Sequence, residues 1–459
     1  MEQMHAQASD ATAPPLHVVV LTSPGAGHVA PVAEFAARLA AHHGVTATIV
    51  TLTNLSSPDN SSALAALPPG VSVATLPEVP LDDLPLDAHI VTRIITAVRR
   101  ALPHLRDLLR SLLRSPAGVA AFLADMLCPA ALAVAEELGV RRHVFYPSSL
   151  TSLASLLYTP ELARTTAGEC RDLPEPVLIP GCAMPLLGAD LIEPVQRRAD
   201  PVYALMVDLG LDYLRADGFI VNTFGDMERG TLAVGGVVPG YLTSKPDGSV
   251  LYVCFGSGGA LSTRQTAELA AGLEASGQRF LWVVRLPSDK DSSAGYFGTK
   301  GHGDDDPLSY LPAGFIERTK GTGLALARSA PQVEVLGHRA VGGFLSHCGW
   351  NSTLEAVAAG VPVMAWPLFA EQRMNAVMLS SSPEGGGVGV ALRVRDGVVL
   401  VPREEVAAVA RELMVGEEGA AARRKVQELR AAAEKTAAPD GPARRELAAV
   451  VDAWKCVRR

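Results

Sequence analysis

The sequence predicts an α/β protein made of two Rossmann-like halves that face each other across a cleft. An apolar strand that runs into a Gly-rich turn and then a helix begins at His17, and the same order begins again at Ser249. The length of 459 residues exceeds what one ordinary hydrophobic core holds, which favours two domains. Ligands of such folds bind at the carboxyl ends of the strands, so the cleft is the expected site.

The first half alternates between strand and helix patterns. The strand His17–Leu21 leads through a Gly-rich turn to a helix, and the strand Thr46–Leu52 completes a βαβ unit. Pro31 is expected to lie in the first turn of this helix, which is why it fits there. Further strands are predicted at two later apolar runs, 119–123 and 143–146. The helix should bury the face on which apolar residues recur at i, i+3, i+4 and i+7, namely Val32, Phe35, Ala36 and Leu39.

The second half repeats this order. A strand at 249–255 enters the Gly-rich turn 256–259, and a helix begins near Thr263. Apolar runs at 280–284 and 324–327 continue the sheet. The sequence therefore predicts a second parallel sheet of the same type.

A phosphate-binding loop is predicted within the second half. A short helix at 352–359 lies between two apolar runs with the length of buried parallel strands, 342–345 and 361–365. Ser352 followed by Glu355 fits a capping box, and Gly360 supplies a left-handed end. The loop 347–352 then aims backbone N–H groups and the positive helix end at one point, which suits a diphosphate. Without the rest of the run, Ser352 and Glu355 could also be residues whose only role is to cap the helix.

The run 330–372 resembles the signature box of the plant family of UDP-dependent glycosyltransferases, and the segments GFIVNTF and LYVCFGSGG match that family as well. The resemblance implies a GT-B type fold of two facing Rossmann-like domains. It also implies UDP-glucose as co-substrate, with no cofactor and no metal ion. The segments LPEPVLIPGC and EEVAAVARELM resemble the subgroup that glucosylates hydroquinone, monolignols and related small phenols. A small phenolic acceptor is therefore the second expected partner.

The same resemblance assigns donor-binding residues to each part of the UDP-sugar. Gln332 would contact the uracil and Glu355 the ribose hydroxyls, and Trp350 would border the sugar, although Trp350 alone could equally fill the core. The other donor contacts would be His347, Asn351, Ser352 and Ser257 at the diphosphate, and Glu371, Gln372 and Ser148 at the sugar.

The expected catalytic pair comes from the first half. His28 follows the first predicted strand in the run PGAGHVAP, where the resemblance places the family's catalytic histidine. It would remove the proton of the acceptor hydroxyl. Asp125, after the apolar run 119–124, occupies the position of the carboxylate that holds the imidazole tautomer. No carboxylate nucleophile is offered, so one direct displacement should invert the anomeric carbon. A lone histidine at a helix start can otherwise be a cap or a surface group.

Two departures from the family leave a rival function open. Ser329 stands where the family has a tryptophan that stacks on the uracil, a contact worth on the order of 1–3 kcal/mol. Arg328 could lay its guanidinium group on the base instead. The interdomain linker expected at 235–248 is also short. The rival is a sugar-nucleotide or phenol-binding protein that does not catalyse transfer.

The predicted domain bounds follow from these patterns. Residues 1–15 are expected to be a disordered tail, and a last helix closes the chain. By resemblance this helix returns to the first domain, and Trp454 could anchor it. The bounds are 16–234 for the acceptor-binding domain, 235–248 for the linker, 249–438 for the UDP-sugar-binding domain and 439–459 for the last helix.

Composition argues against several other classes of partner. The net charge is −8 with a pI near 5.8, and no basic stripe with interleaved aromatic residues occurs, which argues against nucleic acid and anionic membranes. The six cysteines form no C-x-x-C pair, and the carboxylates at 304–306 lack alternating oxygen ligands, which argues against zinc and other metals. No apolar window reaches the roughly 18 residues of a spanning helix, and the start lacks a signal peptide. We therefore expect a soluble, cytoplasmic monomer.

Two other enzyme classes fit less well. Gly25, Gly27 and Ala30 satisfy a loose dinucleotide fingerprint, but no Asp or Glu ends the next strand, where the ribose hydroxyl would need one. A serine hydrolase is disfavoured because Phe255 stands two places before Ser257, where a nucleophile elbow has glycine.

Overall fold

Two six-stranded parallel sheets form the framework of the protein. The structure is a computed structural model. It describes residues 14–55, 64–85, 87–179, 182, 184–223, 227, 242, 245–290, 292–293, 306–327, 330–395 and 400–455.

The first sheet has the strand order β3-β2-β1-β4-β5-β6. Within it, Val18 of the central strand lies beside Ala47 and Ala121 of the two neighbouring strands. The strands are His17–Leu21 (β1), Thr46–Leu52 (β2), Val71–Leu76 (β3), Ala121–Asp125 (β4), Arg141–Tyr146 (β5) and Gly218–Val221 (β6).

The second sheet has the matching order β12-β11-β10-β7-β8-β9. Its strands are Val250–Cys254 (β7), Arg279–Val284 (β8), Gly323–Ala327 (β9), Val341–Ser346 (β10), Val363–Ala365 (β11) and Ala391–Arg393 (β12). The two equivalent sheets confirm the predicted fold class of two Rossmann-like halves.

Helices cover both faces of each sheet. In the first half they are Ala26–His43 (α1), Ile90–Leu113 (α2), Leu132–Glu137 (α3), Leu150–Thr165 (α4), Glu193–Gln196 (α5) and Pro201–Asp212 (α6). The later helices are Thr263–Ser276 (α7), Phe315–Arg318 (α8), Gln332–Gly337 (α9), Trp350–Ala359 (α10), Gln372–Ser380 (α11), Arg403–Val415 (α12), Glu417–Ala437 (α13) and Pro442–Lys455 (α14).

Alternate residues of β1 belong to two separate hydrophobic cores. Val18 and Val20 pack with the apolar face of α1, whereas Val19 and Leu21 pack with α2 on the other side. This alternation follows from the period of two in a strand, and it explains why the whole strand is apolar. The sheet is therefore a buried layer between two layers of helices.

The last helix, α14, packs on the first half of the molecule. Its Trp454 is 1% exposed and lies in the same core as Val20 and Phe35. The indole ring also meets the ring of His143 edge-on, with 5.7 Å between centroids. A helix that follows the second sheet in sequence thus completes the core of the first. Most of the predicted linker and all but two residues of the predicted tail lie outside the described residues.

Two local predictions about helix starts are wrong. Helix α1 begins at Ala26, so Pro31 lies in its second turn, not its first. A proline there cannot donate to the carbonyl four residues earlier, which leaves the Gly27 carbonyl without its helical partner. Helix α10 begins at Trp350 with Gly349 as N-cap and no side-chain cap bond, so the capping box of Ser352 does not form. The left-handed end at Gly360 is confirmed, with φ at 71°.

Candidate active site

A cleft of about 650 Å³ lies between the two halves, at the carboxyl ends of the central strands. Its walls come from the turns after β1, β4 and β5 on one side and after β7, β10 and β11 on the other. Topology brings these turns together because each sheet places its central strands side by side with their ends on one edge.

His28 and Asp125 form a close pair on the first side of the cleft. His28 lies in the first turn of α1, and Asp125 is the last residue of β4. The Nδ1 atom of His28 is 3.0 Å from both carboxylate oxygens of Asp125. The Asp125 side chain is fully buried, whereas that of His28 is 13% exposed. With Nδ1 turned to the carboxylate, Nε2 is the ring nitrogen that can act on a ligand.

Two further donors fix the Asp125 carboxylate. The hydroxyl of Ser23 donates to Oδ1, and the backbone N–H of Leu127 donates to the same oxygen at 3.2 Å. Ser23 is fully buried, and its Oγ also lies 3.4 Å from the Cys128 sulfur. The carboxylate is thus held by two donors besides the imidazole, so its orientation toward His28 is set before any ligand arrives.

The pKa of His28 is raised above its ordinary value of 6.5 by its surroundings. Burial, the largest single influence, lowers this pKa, but the charge and hydrogen bond of Asp125 and the charge of Glu371 together raise it by more. The pair therefore stabilises a protonated imidazole, which is the form a general base reaches after it takes a proton.

His347 lies on the opposite side of the cleft, directly after β10. A Cβ atom at either Gly256 or Gly349 would lie 2.5 Å from its ring, so two glycines make room for it. Burial and the nearby Arg285 lower the pKa of His347 to about 4, which keeps the ring neutral near neutral pH. Its buried Nδ1 has no hydrogen-bond partner in the described part of the chain. Such an atom is suited to bind a ligand.

The N-terminus of α10 opens into the same cleft. Its first residues, Trp350 and Asn351, line the cavity, and no side chain caps the helix start. The free N–H groups and the positive end of the helix dipole therefore remain available to an anion. Ser257, in the turn after β7, lines the cavity as well.

Gln332, Ser352 and Glu355 form a hydrogen-bonded cluster beside this helix start. The side-chain amide of Gln332 donates to Ser352 Oγ at 2.8 Å and to Glu355 Oε2 at 2.7 Å. Burial raises the pKa of Glu355, the bond from Gln332 opposes this, and Glu334 adds to the increase. The family resemblance predicts that all three residues contact the same ligand, and in the structure Gln332 contacts both of the others.

Two side chains at the start of α10 reach across to the first half. Trp350 donates from Nε1 to the Asn222 carbonyl at 2.6 Å. Asn351 donates from Nδ2 to the Gly27 carbonyl at 3.2 Å, the carbonyl that Pro31 leaves without a helical partner. Neither acceptor could be predicted from the sequence, since a backbone carbonyl acquires such a role only through tertiary contact.

The remaining predicted residues are Ser148, in the turn after β5, and Glu371 and Gln372, at the start of α11. Ser148 donates to Glu371 Oε1 at 2.9 Å across the cleft. Gln372 accepts the N–H groups of Leu368 and Phe369 on its Oε1, at 2.9 and 3.0 Å, so its Nε2 group is the part that can donate to a ligand.

The structure describes neither Ser329 nor the preceding Arg328, so the predicted uracil-stacking position lies outside the described residues. Among the residues that it does describe, no group of three His, Cys, Asp or Glu side chains is arranged to hold a metal ion. No helix in the same part of the chain is long and apolar enough to cross a membrane.

Comparison with known proteins agrees with this arrangement. Residues 238–396 match the family described as UDP-glucoronosyl and UDP-glucosyl transferase. Hydroquinone glucosyltransferase of Rauvolfia serpentina is 42% identical over 96% of this chain and 98% of its own length. The chain belongs to the UDP-glycosyltransferase family and is a UDP-glycosyltransferase.

Two solved structures are also similar over nearly the whole chain. A UDP-glucosyltransferase of Polygonum tinctorium capable of glucosylating indoxyl, solved with 3,4-dichloroaniline, has a TM-score of 0.88 and 43% identity, covering 97% of this chain and 99% of its own. UGT2 of Phytolacca americana, complexed with UDP-2fluoro-glucose and pterostilbene, has a TM-score of 0.84 and 37% identity. The match covers 96% of this chain and 99% of that structure's chain. Both are enzymes of the GT-B class that the two sheets define.

Proposed function

We propose that the protein moves glucose from UDP-glucose to the hydroxyl group of a small phenolic acceptor, with inversion at the anomeric carbon. The observation that carries this proposal is the contact of His28 with Asp125 at 3.0 Å, in a cavity that the uncapped start of α10 also lines. The names of the relatives support the donor and the acceptor class, because they include a hydroquinone glucosyltransferase and a complex with UDP-2fluoro-glucose.

In the proposed reaction His28 is the general base. Its Nε2 takes the proton of the acceptor hydroxyl while the acceptor oxygen forms a bond to C1 of the glucose. The bond from C1 to the phosphate oxygen breaks, and UDP leaves with the electron pair. A single displacement of this kind gives the β-glucoside. Asp125 keeps the imidazole in the required tautomer and stabilises the imidazolium that forms.

We propose that the second half holds the donor without a metal ion. The N–H groups at the start of α10, with His347 and Ser257, would bind the diphosphate as charge builds up on it. Glu355 would accept from the ribose hydroxyls. Activity should then be unchanged by a chelator, and a requirement for a divalent ion would contradict this part of the proposal.

Purified protein incubated with UDP-glucose and hydroquinone tests the function directly. We expect stoichiometric formation of UDP and a glucoside, and we expect His28→Ala to lower kcat by roughly 100- to 10,000-fold. The variant should still bind UDP, since His28 contacts the acceptor. Undiminished turnover in this variant would exclude His28 as the base. Wild-type protein that binds UDP and phenol without turnover would support the non-catalytic rival instead.

A further inference from the structure

The acceptor side of the cleft contains one polar pair that the proposed reaction does not use. Among the described residues of the first half, four polar side chains line the cavity, and the other lining residues there are apolar or glycine. His28 is the base, and Ser148 contacts Glu371. The remaining two are His89 and Glu193, which hydrogen-bond to each other at 3.2 Å.

The hydrogen bonds of His89 and Glu193 set their orientation. Nδ1 of His89 accepts the N–H of Val91 at 3.2 Å, so the ring proton lies on Nε2 and points to Glu193 Oε2. No hydrogen bond reaches Oε1 of Glu193 from the residues that the structure describes. The Glu193 side chain is 38% exposed, so this oxygen can accept from a ligand in the cleft.

The backbone of Glu193 is fixed at the boundary between acceptor and donor sides. Its N–H donates to the carbonyl of Ala370 at 3.0 Å, and Ala370 directly precedes Glu371. Ala370 has a left-handed φ of 55°, a conformation that is uncommon for a residue other than glycine. Glu193 is therefore held near the residues that are expected to contact the sugar, and an acceptor placed for reaction lies within the same cavity.

The charge of the acceptor wall also favours one class of ligand. Glu193 contributes a carboxylate, and among the described residues of the first half no Lys or Arg lines this cavity. A second hydroxyl on a phenol can donate to Glu193 Oε1, whereas a carboxylate on the acceptor would meet a like charge at Glu193.

We propose that Glu193 is a specificity residue that selects neutral phenols with a second hydrogen-bond donor and disfavours phenols that carry a carboxylate. This inference rests on the proposed function. His89 acts as a positioning residue, because its bond to Oε2 holds the carboxylate and leaves Oε1 able to accept from the acceptor.

Three acceptors of similar size test the proposal: hydroquinone, 4-methylphenol and 4-hydroxybenzoate. In Glu193→Ala we expect kcat/KM for hydroquinone to fall about tenfold, the size of one hydrogen bond to a charged group, while the value for 4-methylphenol stays unchanged. Glu193→Gln keeps an accepting oxygen and removes the charge, so it should recover part of the hydroquinone activity and raise activity on 4-hydroxybenzoate. Glu434→Gln on the exposed face of α13 is the matched control and should change no ratio.

The outcomes separate this inference from the proposed function. An active Glu193→Ala enzyme with an unchanged ratio of hydroquinone to 4-methylphenol activity would overturn the role of Glu193 alone. If the wild type transfers glucose to none of the three, the proposed function fails. Equilibrium titration of the same acceptors then still tests the inference, which requires hydroquinone to lose affinity in Glu193→Ala and 4-methylphenol to keep it.

Discussion

The reactivity of His28 depends on how completely Asp125 is fixed. The carboxylate accepts from Ser23, from the Leu127 N–H and from the imidazole, so it cannot rotate away without losing buried hydrogen bonds. Breaking such bonds in the interior is costly. The imidazole ring therefore needs no rotation to present Nε2 to the acceptor in the proposed reaction.

The raised pKa of His28 predicts a specific pH profile. A base acts in its neutral form, so kcat/KM should rise with pH through a midpoint above 6.5. Asp125→Asn removes the charge that raises the pKa and leaves the burial that lowers it. The midpoint should then shift to lower pH, while kcat falls by roughly a hundredfold or more because the tautomer is no longer held. Initial rates across pH, with UDP-glucose saturating, provide the measurement.

Ser23→Ala distinguishes charge from orientation in this pair. It keeps the Asp125 carboxylate and removes a donor that holds it, so kcat should fall while the pH midpoint stays near that of the wild type. A midpoint that moves as far as in Asp125→Asn would show that the proposed division of roles is wrong.

At the scale of elements, two glycine turns create the space for His347. Gly256 has φ at 73°, and a Cβ there would lie 2.5 Å from the imidazole. Gly256→Ala should displace the ring and weaken UDP binding. Gly277→Ala is the matched control, because its φ of 68° carries similar backbone strain and nothing lies within 4 Å of its Cβ position.

Both glycine variants should lose on the order of 1 kcal/mol of stability from the left-handed backbone, and Gly256→Ala should lose more because the His347 ring must also move. Only Gly256→Ala should show weaker binding when UDP is titrated by calorimetry. Equal UDP affinities in the two variants would mean that the position of His347 has no influence on the donor site.

The contrast between α1 and α10 shows what the sequence could predict at this scale. The strands and the buried face of α1 were predictable because their apolar periodicity is a local property. Their helix starts were not, because both helices begin after a glycine N-cap without a side-chain hydrogen bond, and the Ser352 hydroxyl instead meets Gln332, which is distant in sequence. A capping motif is overridden where a tertiary hydrogen bond competes for the same side chain.

At the scale of the whole molecule, the site exists only where the two halves meet. Trp350 contacts Asn222, and Ser148 contacts Glu371, so residues far apart in sequence share hydrogen bonds across the cleft. The resemblance to a family could name most of these residues. It could not give their mutual distances, because those depend on how two separately folded sheets are placed against each other.

Helix α14 makes the stability of the first half depend on the last residues of the chain. Trp454 is buried in that core, although its Nε1 has no partner among the described residues. Trp454→Ala should lower the free energy of unfolding by about 3–5 kcal/mol, the range for removing a large buried aromatic side chain.

Hydrogen exchange measured by segment tests this prediction. Because the protein has two halves, it is a better readout than one melting temperature. Protection should fall in α1 and β5, which share the core of Trp454, and remain in β7 and β10. Trp454→Phe removes the unpaired N–H and keeps an aromatic ring, so its loss should be smaller. Equal loss of protection in both sheets would contradict the assignment of α14 to the first half.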